Sequence, residues 1–352
     1  MEFSVTVQPQ GQRFVVRRGE TLLDAALRQG LDLPHGCRRG TCGMCKVKMV
    51  NGRIEMRPHS MQALAADEAA QGHALMCCAS ACTDLVIERV RGDQQAATLP
   101  ARVSGIERLA PDVIRLRLQL PGATRLAYRA GQFLQVILRD GARRCYSMAA
   151  APGQDEQIEL HVRHLPGGLF SDLLFGVSAR PLKVRDVLRV SAPHGHFHLR
   201  QDSDKPIVLL ASGTGFAPIK AIVEHARIAG IERPMTLYWG GRRPHDLYMN
   251  ALAQAWAREL PGFSYVPVVS DASPQDAWHG RRGFVHRAVI EDHADLSSHQ
   301  VYACGAPAMV DAARRDFTLE CGLPEHEFHA DVFASGAGIA AKEKAASLTL
   351  EC

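Results

Sequence analysis

The spacing of apolar and polar positions changes period several times along the chain, and each change marks a different kind of element. Phe3, Val5 and Val7 alternate with polar residues, and Phe14 and Val16 follow across a short turn containing Gly11. A period of two is that of a strand with one buried face, so this stretch predicts a hairpin. From Thr21 the spacing lengthens: Leu23, Ala26 and Leu27 share a helical face, Thr21 and Asp24 stand as a capping pair, and Gly30 supplies the stop. Strand-like runs at Val47–Val50 and Arg53–Met56 then flank Asn51-Gly52, the strongest short signal for a tight hairpin turn. Leu85–Val90 reads as a closing strand.

Clear alternation returns between about residues 100 and 200. Ile114, Leu116, Leu118 and Leu120 alternate with Arg115, Arg117 and Gln119, and Ile158, Leu160 and Val162 with Glu159, His161 and Arg163. Short alternating strands at close spacing predict an antiparallel barrel. From residue 205 the pattern shifts again. Ile207–Ala211 is continuously apolar, as a strand buried on both faces is. It runs into Ser212-Gly213-Thr214-Gly215-Phe216-Ala217-Pro218, after which Ile219, Ile222 and Val223 recur at helical spacing. Further strands at Met235–Trp239, Tyr265–Val269 and Gln300–Ala303, separated by helical stretches, predict a parallel α/β sheet. Gly92–Ala97 has no periodicity and reads as a linker, and residues 334–352, rich in Ala, Gly and Ser, as a frayed or weakly helical tail. The expected organisation is multidomain, α+β and α/β, with boundaries at 1–93, 99–202 and 205–333 followed by the tail.

Composition narrows the class. A chain of 352 residues suits two or three domains, and 46% hydrophobic with 22% charged residues is the balance of globular proteins. A formal net charge of +4 is too small to argue for nucleic acid or a membrane surface, and no apolar run approaches a membrane span. The N-terminal stretch lacks the basic and apolar regions of a signal peptide. Ten cysteines in such a context point to metal or redox use in a reducing compartment, so a cytoplasmic location is expected.

The chemistry starts at Cys37-Arg38-Arg39-Gly40-Thr41-Cys42-Gly43-Met44-Cys45. Three thiols spaced C-x4-C-x2-C, with a distant fourth, have the ligand pattern of a plant-type [2Fe–2S] centre. Four thiolates also suit zinc, but zinc sites usually show two C-x2-C knuckles and here there is one. The whole of residues 1–93 resembles a plant-type ferredoxin domain, which implies a β-grasp fold. In that resemblance Gly40 and Gly43 let backbone N–H groups approach the cluster sulfurs. The family's Leu-x-Cys pattern fits Leu75-Met76-Cys77, so the implied ligands are Cys37, Cys42, Cys45 and Cys77. Cys78 and Cys82 are then expected as small buried apolar residues.

Inside the predicted barrel, Arg144-Cys145-Tyr146-Ser147 follows Gly131-Gln132-Phe133, and Pro166-Gly167-Gly168-Leu169-Phe170-Ser171 opens a short helix. An arginine offers a two-pronged cation to a pyrophosphate, a tyrosine a flat face to an isoalloxazine, and a serine a hydrogen bond to the flavin's reactive nitrogen. A Gly-Gly turn at a helix start can expose N–H groups to phosphate, which makes Gly167, Gly168 and Ser171 candidates. These motifs resemble the ferredoxin-NADP reductase-like flavoproteins, whose barrel has six antiparallel strands. His194, His196 and His198 share a strand face, but Pro193-His194-Gly195-His196-Phe197 resembles the turn that closes that barrel, which disfavours a metal site there. Gly213, Thr214, Gly215 and Pro218 match the superfamily's G-T-G-x-A-P nicotinamide-nucleotide turn. Cys304-Gly305-Ala306-Pro307-Ala308-Met309 matches its C-G-x-P-x-M, which implies that Cys304 lies beside the nicotinamide. An aromatic that covers the flavin is implied at the end of Asp331-Val332-Phe333, with Phe333 the candidate and Phe328 its competitor.

In this order the three parts resemble the iron–sulfur flavoprotein reductases, a family that includes the CDP-6-deoxy-glucoseen reductases and the reductase components of bacterial oxygenases. The resemblance implies a transformer of two-electron into one-electron steps, from NADH through FAD and a [2Fe–2S] cluster to an electron-accepting protein, an oxygenase component or a sugar dehydrase. FAD rather than FMN follows because members with the ferredoxin part first use FAD. Arg242, Arg243 and Asp246 follow the second strand of the nucleotide domain, where the adenosine ribose belongs. The arginines suit the 2′-phosphate of NADPH and Asp246 opposes it, so NADH is expected with NADPH as the alternative. The competing readings are an electron-transfer module without turnover and a self-contained oxidoreductase that reduces a small-molecule acceptor. A monomer is expected. Residues 1–99 carry 12 Lys and Arg against 10 Asp and Glu, and Arg38 and Arg39 sit in the cysteine loop, either as solvated surface charges or as a steering patch for an acidic acceptor.

Overall fold

A computed structural model describes residues 2–31, 33–90, 96–122, 124–153 and 157–333. The linker and tail expected at 92–97 and 334–352 lie outside them, apart from residues 96 and 97. The described residues of Met1–Gln95 and His194–His196 make one compact unit, and those of Ala96–Pro193 and Phe197–Cys352 the other.

In the first unit, β1 (Glu2–Gln8) and β2 (Gln12–Arg17) form the predicted hairpin. Helix α1 (Leu22–Arg28) starts where the Thr21 hydroxyl accepts the Asp24 N–H, and it buries Leu22, Leu23, Ala25 and Ala26. Then follow β3 (Lys46–Asn51), β4 (Ile54–Met56), α2 (Ala66–Ala70), β5 (His73–Leu75), β6 (Ala79–Ala81) and β7 (Leu85–Arg89). The main sheet runs β2-β1-β7-β3-β5, with β1 and β7 parallel at its centre. The expected β3–β4 hairpin does not form. Asn51-Gly52 does turn the chain, with Gly52 at φ +97°, but both edges of β3 are taken by β7 and β5. Arg53 therefore bonds across to Thr83 and Cys82, and β4 pairs with β6 in a separate ribbon. Cys78 is buried as expected, whereas Cys82 is exposed on the turn that follows β6.

The second unit contains the barrel and the parallel sheet. The barrel strands are β8 (Ala97–Ala110), β9 (Val113–Gln119), β10 (Phe133–Ile137), β11 (Arg143–Ser147), β12 (Gln157–Arg163) and β13 (Val187–His194), with α3 (Leu169–Leu174) after β12. Their order is β11-β10-β13-β8-β9-β12, and a bridge between Met148 and Leu160 joins the two edges. Leu116 and Leu118 on β9 lie opposite Leu160 and Ile158 on β12, and all four are buried in the barrel core. Each fully buried side chain of this size is worth about 2 kcal/mol of transfer free energy.

The parallel sheet comprises β14 (Ile207–Ser212), β15 (Met235–Gly241), β16 (Phe263–Val269), β17 (Arg281–Arg282), β18 (Gln300–Gly305) and β19 (Phe328–Val332). Helices α4 (Phe216–Ile228), α5 (Asn250–Glu259), α6 (Val285–Asp292) and α7 (Pro307–Glu320) alternate with them. Residues of α4 and α5 share one buried cluster with Leu209 and Ala211 of β14, and residues of α6 and α7 share another with Val208 and Leu210. Both faces of the central strand are thus covered, which explains its unbroken apolar run. The order β17-β16-β15-β14-β18-β19 reverses direction between β14 and β18. In open α/β sheets the crevice at such a reversal, beyond the carboxyl ends of the strands, is where ligands bind. Among the described residues no helix is long and apolar enough to cross a membrane.

Candidate redox site

Two motifs far apart in sequence interlock at that reversal. Ala211 pairs with Cys304 across β14 and β18, so the turn after each strand emerges beside the other. Gly215 enters α4 so close to β18 that a Cβ there would stand 2.0 Å from the Cys304 carbonyl oxygen. Gly305, at φ +140°, approaches Ser212, whose hydroxyl accepts the Ala306 N–H at 3.0 Å. Gly215 of G-T-G and Gly305 of C-G are therefore required by these close approaches. Pro218 is buried in the first turn of α4, and Thr214 is half-buried at the surface of the crevice. Cys304 is fully buried, and burial, followed by the charge of Asp331, pushes its thiol well above the usual range. Phe333 is half-buried, with its N–H donated to the Gly305 carbonyl at 2.9 Å. Phe328 lies fully buried at the far end of β19, under the Arg314 guanidinium and 6.2 Å from the Phe317 ring.

The barrel motif reaches the same edge. Ser147 ends β11, and its hydroxyl donates to Asp331 Oδ2 at 3.3 Å. Arg144 and Tyr146 are half-buried on the same strand, the Tyr146 ring 5.3 Å from that of Phe170. Burial pushes the Tyr146 phenol up, so it stays protonated. A guanidinium, a flat ring and a hydroxyl on one strand fit the phosphate, ring and nitrogen functions of a flavin dinucleotide. The glycine turn is held by partners of its own. The Gly167 N–H is donated to Asp172 Oδ2, the Gly168 N–H to the Leu165 carbonyl, and the Ser171 hydroxyl to the same carbonyl at 2.8 Å. Asp172, itself held by His164 at 2.9 Å, closes this turn from inside. Sequence reasoning also missed Asp331 as the partner of Ser147; the only hint was its place at a strand end, two residues before Phe333.

A polar cleft of about 340 Å³ follows β15, lined by Asp112, Arg163, Arg242, Arg243, His245, Asp246 and Asp271. Asp246 was expected to oppose a 2′-phosphate, yet its carboxylate is buried and engaged. Oδ2 accepts the N–H groups of Arg242 and Arg243 at 2.8 and 2.9 Å, and Oδ1 accepts from Arg163 at 3.2 Å. It holds the turn together. The carboxylate that faces the arginine side chains is Asp271, 3.7 Å from Arg242 and 3.6 Å from Arg243. The Arg242 side chain is 83% exposed, and Arg243 reaches Asp276 as well.

In the first unit the four predicted cysteines gather as two pairs. The Cys45 and Cys77 sulfurs are 3.3 Å apart, and Cys37 and Cys42 exchange backbone N–H bonds to each other's Sγ at 3.3 Å. Cys37 Sγ also accepts from Arg39 and Thr41, and Cys77 Sγ from the Gly40 N–H at 3.2 Å. Gly40 needs its φ of +70° to do so, and a Cβ there would strike Cys78 Sγ at 2.6 Å. The bond with Cys42 and these amides hold the Cys37 thiol below its ordinary range despite burial. Two thiol pairs under converging N–H donors fit a dinuclear cluster, two sulfurs to each iron, whose negative charge the amides favour. Cys78 is the outlier, 3.7 Å from Cys77 and turned toward Pro58. Arg38 is ion-paired with Asp24 at 2.6 Å and adopts φ +57°, so it is a structural member of the loop rather than a solvated charge.

Three family models match successive parts of the chain. The 2Fe-2S iron-sulfur cluster binding domain matches residues 5–82, the oxidoreductase FAD-binding domain residues 100–199, and the oxidoreductase NAD-binding domain residues 209–315. The CDP-6-deoxy-L-threo-D-glycero-4-hexulose-3-dehydrase reductase of Yersinia pestis is 39% identical, covering 95% of this chain and 99% of its own. Terephthalate 1,2-dioxygenase reductase component 2 of a Comamonas species is 35% identical over 96% and 98%. Among solved structures, the Amycolatopsis cytochrome P450 reductase GcoB superposes with a TM-score of 0.68 at 35% identity, covering 95% of this chain and 99% of its own. The chain therefore belongs to the iron–sulfur flavoprotein reductases, oxidoreductases whose 2Fe-2S, FAD-binding and NAD-binding domains carry electrons from a nicotinamide nucleotide towards a partner.

Proposed function

We propose that this chain oxidises NADH and delivers the electrons singly to a separate protein, either an oxygenase component or a CDP-sugar dehydrase. The observation that carries this reading is the Ser147–Asp331 hydrogen bond, which brings the barrel motif to the sheet edge where Gly215, Cys304 and Phe333 meet. When bound, FAD and the [2Fe–2S] cluster supply the conversion of a hydride into single electrons. Arg144 and Tyr146 hold the flavin, and Ser147 keeps a hydroxyl at the reacting position, oriented by Asp331. The Gly213–Pro218 turn and Cys304 hold the nicotinamide end of the nucleotide, and Phe333 shields the site from water. Cys37, Cys42, Cys45 and Cys77 hold the cluster, with the amides around Gly40 favouring its charge. At the adenosine end, Asp271 opposes a 2′-phosphate on Arg242 and Arg243, which favours NADH.

The test uses the purified holoprotein. NADH oxidation should reduce both ferricyanide and cytochrome c, and kcat/KM should be higher for NADH than for NADPH. Cys42→Ser should abolish cytochrome c reduction and spare ferricyanide reduction. A protein that reduces neither acceptor, or that still reduces cytochrome c after the cluster is lost, overturns the proposal.

A further inference from the structure

In a strand with one buried face the polar positions ordinarily meet solvent, and β12 carries polar residues at alternate positions. Glu159, His161 and Arg163 share one face of that strand, and each instead reaches a different segment of the nucleotide half. Glu159 Oε1 lies 3.3 Å from Lys220 Nζ on α4. His161 Nδ1 lies 2.9 Å from the Tyr248 hydroxyl, in the segment between β15 and α5. Arg163 Nη2 lies 3.2 Å from Asp246 Oδ1. In the first two contacts, Lys220 and His161 are buried.

Lys220 is 6% exposed, and Nζ faces the Ala149 carbonyl at 3.0 Å, Glu159 at 3.3 Å and Glu224 at 2.8 Å. Ala149 stands two residues beyond Ser147, and Lys220 two beyond Pro218. One side chain thus ties the end of the barrel motif to the helix that starts at the nucleotide turn. The second tie is a relay of neutral groups. His161 Nε2 is 2.8 Å from Glu159, whose carboxyl feels burial pushing it up but is held down at about 2 by His161 and the Lys220 charge. Burial keeps the His161 imidazole neutral, so Nε2–H donates to Glu159 and Nδ1 accepts from the Tyr248 hydroxyl. The Tyr248 ring meets Trp239 edge-on at 5.2 Å, and Trp239 Nε1 donates to the Gly213 carbonyl at 3.0 Å. This chain of contacts ends on the first glycine of the turn.

A buried ion cluster is a poor source of stability, because desolvating the charges consumes most of their attraction. Its distinctive effect is to accept one registration of its partners and reject others. We propose that Glu159, His161, Lys220 and Tyr248 are positioning residues for hydride transfer. They hold the Gly213–Pro218 turn in a single register against the strand end that carries Ser147. This rests on the function proposed above. In that step NADH loses a hydride, two electrons with one proton, to FAD and leaves as NAD⁺. Loss of register lowers the rate of that step, since near-attack geometry is sensitive to displacements of about 1 Å, and leaves nucleotide affinity largely unchanged.

Lys220→Met and the double variant Glu159→Gln/Lys220→Met are compared with the parent holoprotein by stopped-flow flavin reduction. Both should lose about tenfold or more in the limiting rate, with the Kd for NADH within about twofold. The double variant, which leaves no unpaired charge of that pair buried, should recover most of the thermal stability lost by Lys220→Met without recovering the rate. Amide hydrogen exchange, measured with and without FAD, should rise at Ala149 and across 213–220 while the interior of β14 stays protected. If Lys220→Met does not fold, Tyr248→Phe, which removes only the hydroxyl, should slow the step at least threefold. Rates within twofold of the parent in folded variants, or a rate that recovers together with stability, overturn the proposal. A parent protein that NADH cannot reduce refutes the function above instead, and the exchange data then still report whether the tie exists.

Discussion

Gly215→Ala is the sharpest perturbation of the interlocked motifs, because two effects of opposite sign are both calculable. Gly215 has φ −58° and ψ −14°, which alanine adopts freely. Judged on backbone alone, the substitution is favourable: alanine is about 1 kcal/mol better than glycine in a helix, partly because it restricts the unfolded chain. Against this, the new Cβ would lie 2.0 Å from the Cys304 carbonyl oxygen, 2.5 Å from its carbonyl carbon and 2.9 Å from the Gly305 nitrogen. All three are backbone atoms in the sheet, so no side chain can turn aside. Relief requires the start of α4 or the end of β18 to move by about 1 Å, the shortfall from an ordinary non-bonded contact. Overpacking that cores absorb by repacking costs about 1–3 kcal/mol, and a contact with unyielding backbone belongs at or above that range's upper end.

The net expectation is a loss of about 2–3 kcal/mol, which for a unit of this size lowers Tm by roughly 5–10 °C. Gly213→Ala is the control. Its φ of +52° carries a left-handed cost of about 1–2 kcal/mol, but the nearest atoms to its Cβ belong to the movable Arg163 guanidinium at 3.4 Å. Differential scanning calorimetry, which separates transitions in a chain of several domains, should rank parent, Gly213→Ala and Gly215→Ala in descending order. A Gly215→Ala protein as stable as the parent would refute the reasoning, because the favourable backbone effect would then stand unopposed.

Two further outcomes follow from the same geometry. Cys77→Ser should abolish or strongly shift the visible absorption of the cluster, whereas Cys78→Ala should leave it intact; the reverse ranking would move the fourth ligand to Cys78. The second unit should lose stability as pH falls below about 7, because burial and the Arg200 charge push His329 down to about 3, and burial lowers His161 too. In that window the unfolded chain, with imidazoles titrating near their ordinary value, binds more protons than the native state. Each such histidine therefore removes about 1.4 kcal/mol per pH unit between its unfolded and folded pKa. Replacing His329 with Phe should flatten the fall in denaturation midpoint by about one proton's worth, and an unchanged slope would exclude it as a source.

What the sequence made legible was whatever depends on local spacing. The Cys37–Cys45 loop, the alternation of β9 and β12, and the apolar run of β14 ending in Gly213 each announce themselves within a dozen residues. What stayed hidden depends on residues that meet only in three dimensions. Asn51-Gly52 makes its turn, but nothing nearby in sequence says that β7 and β5 already occupy both edges of β3. Gly167 and Gly168 read as a phosphate turn, with no sign that Asp172 accepts the Gly167 N–H and the Leu165 carbonyl that of Gly168. Asp246 looks like a charge set against a 2′-phosphate until its carboxylate is seen holding the amides of its own turn.

The polar face of β12 shows why this limit is physical rather than statistical. Period-two alternation distinguishes a strand's two faces without saying what the polar one meets, since water and a buried set of counter-charges ask for the same residue types. The complement of Glu159, His161 and Arg163 is supplied by Lys220, Tyr248 and Asp246, the last two lying 87 and 83 residues from their partners. The readable clue lies on the other side. Phe216–Val223 opens α4 with eight consecutive buried residues, and Lys220 is the only charged one among them. A helix start surrounded by protein cannot lead a lysine out to water, and Glu224 at i+4 satisfies only part of its ammonium. A partner from another element was therefore required by charge, and a strand with acidic and imidazole groups at alternate positions was the one able to supply it.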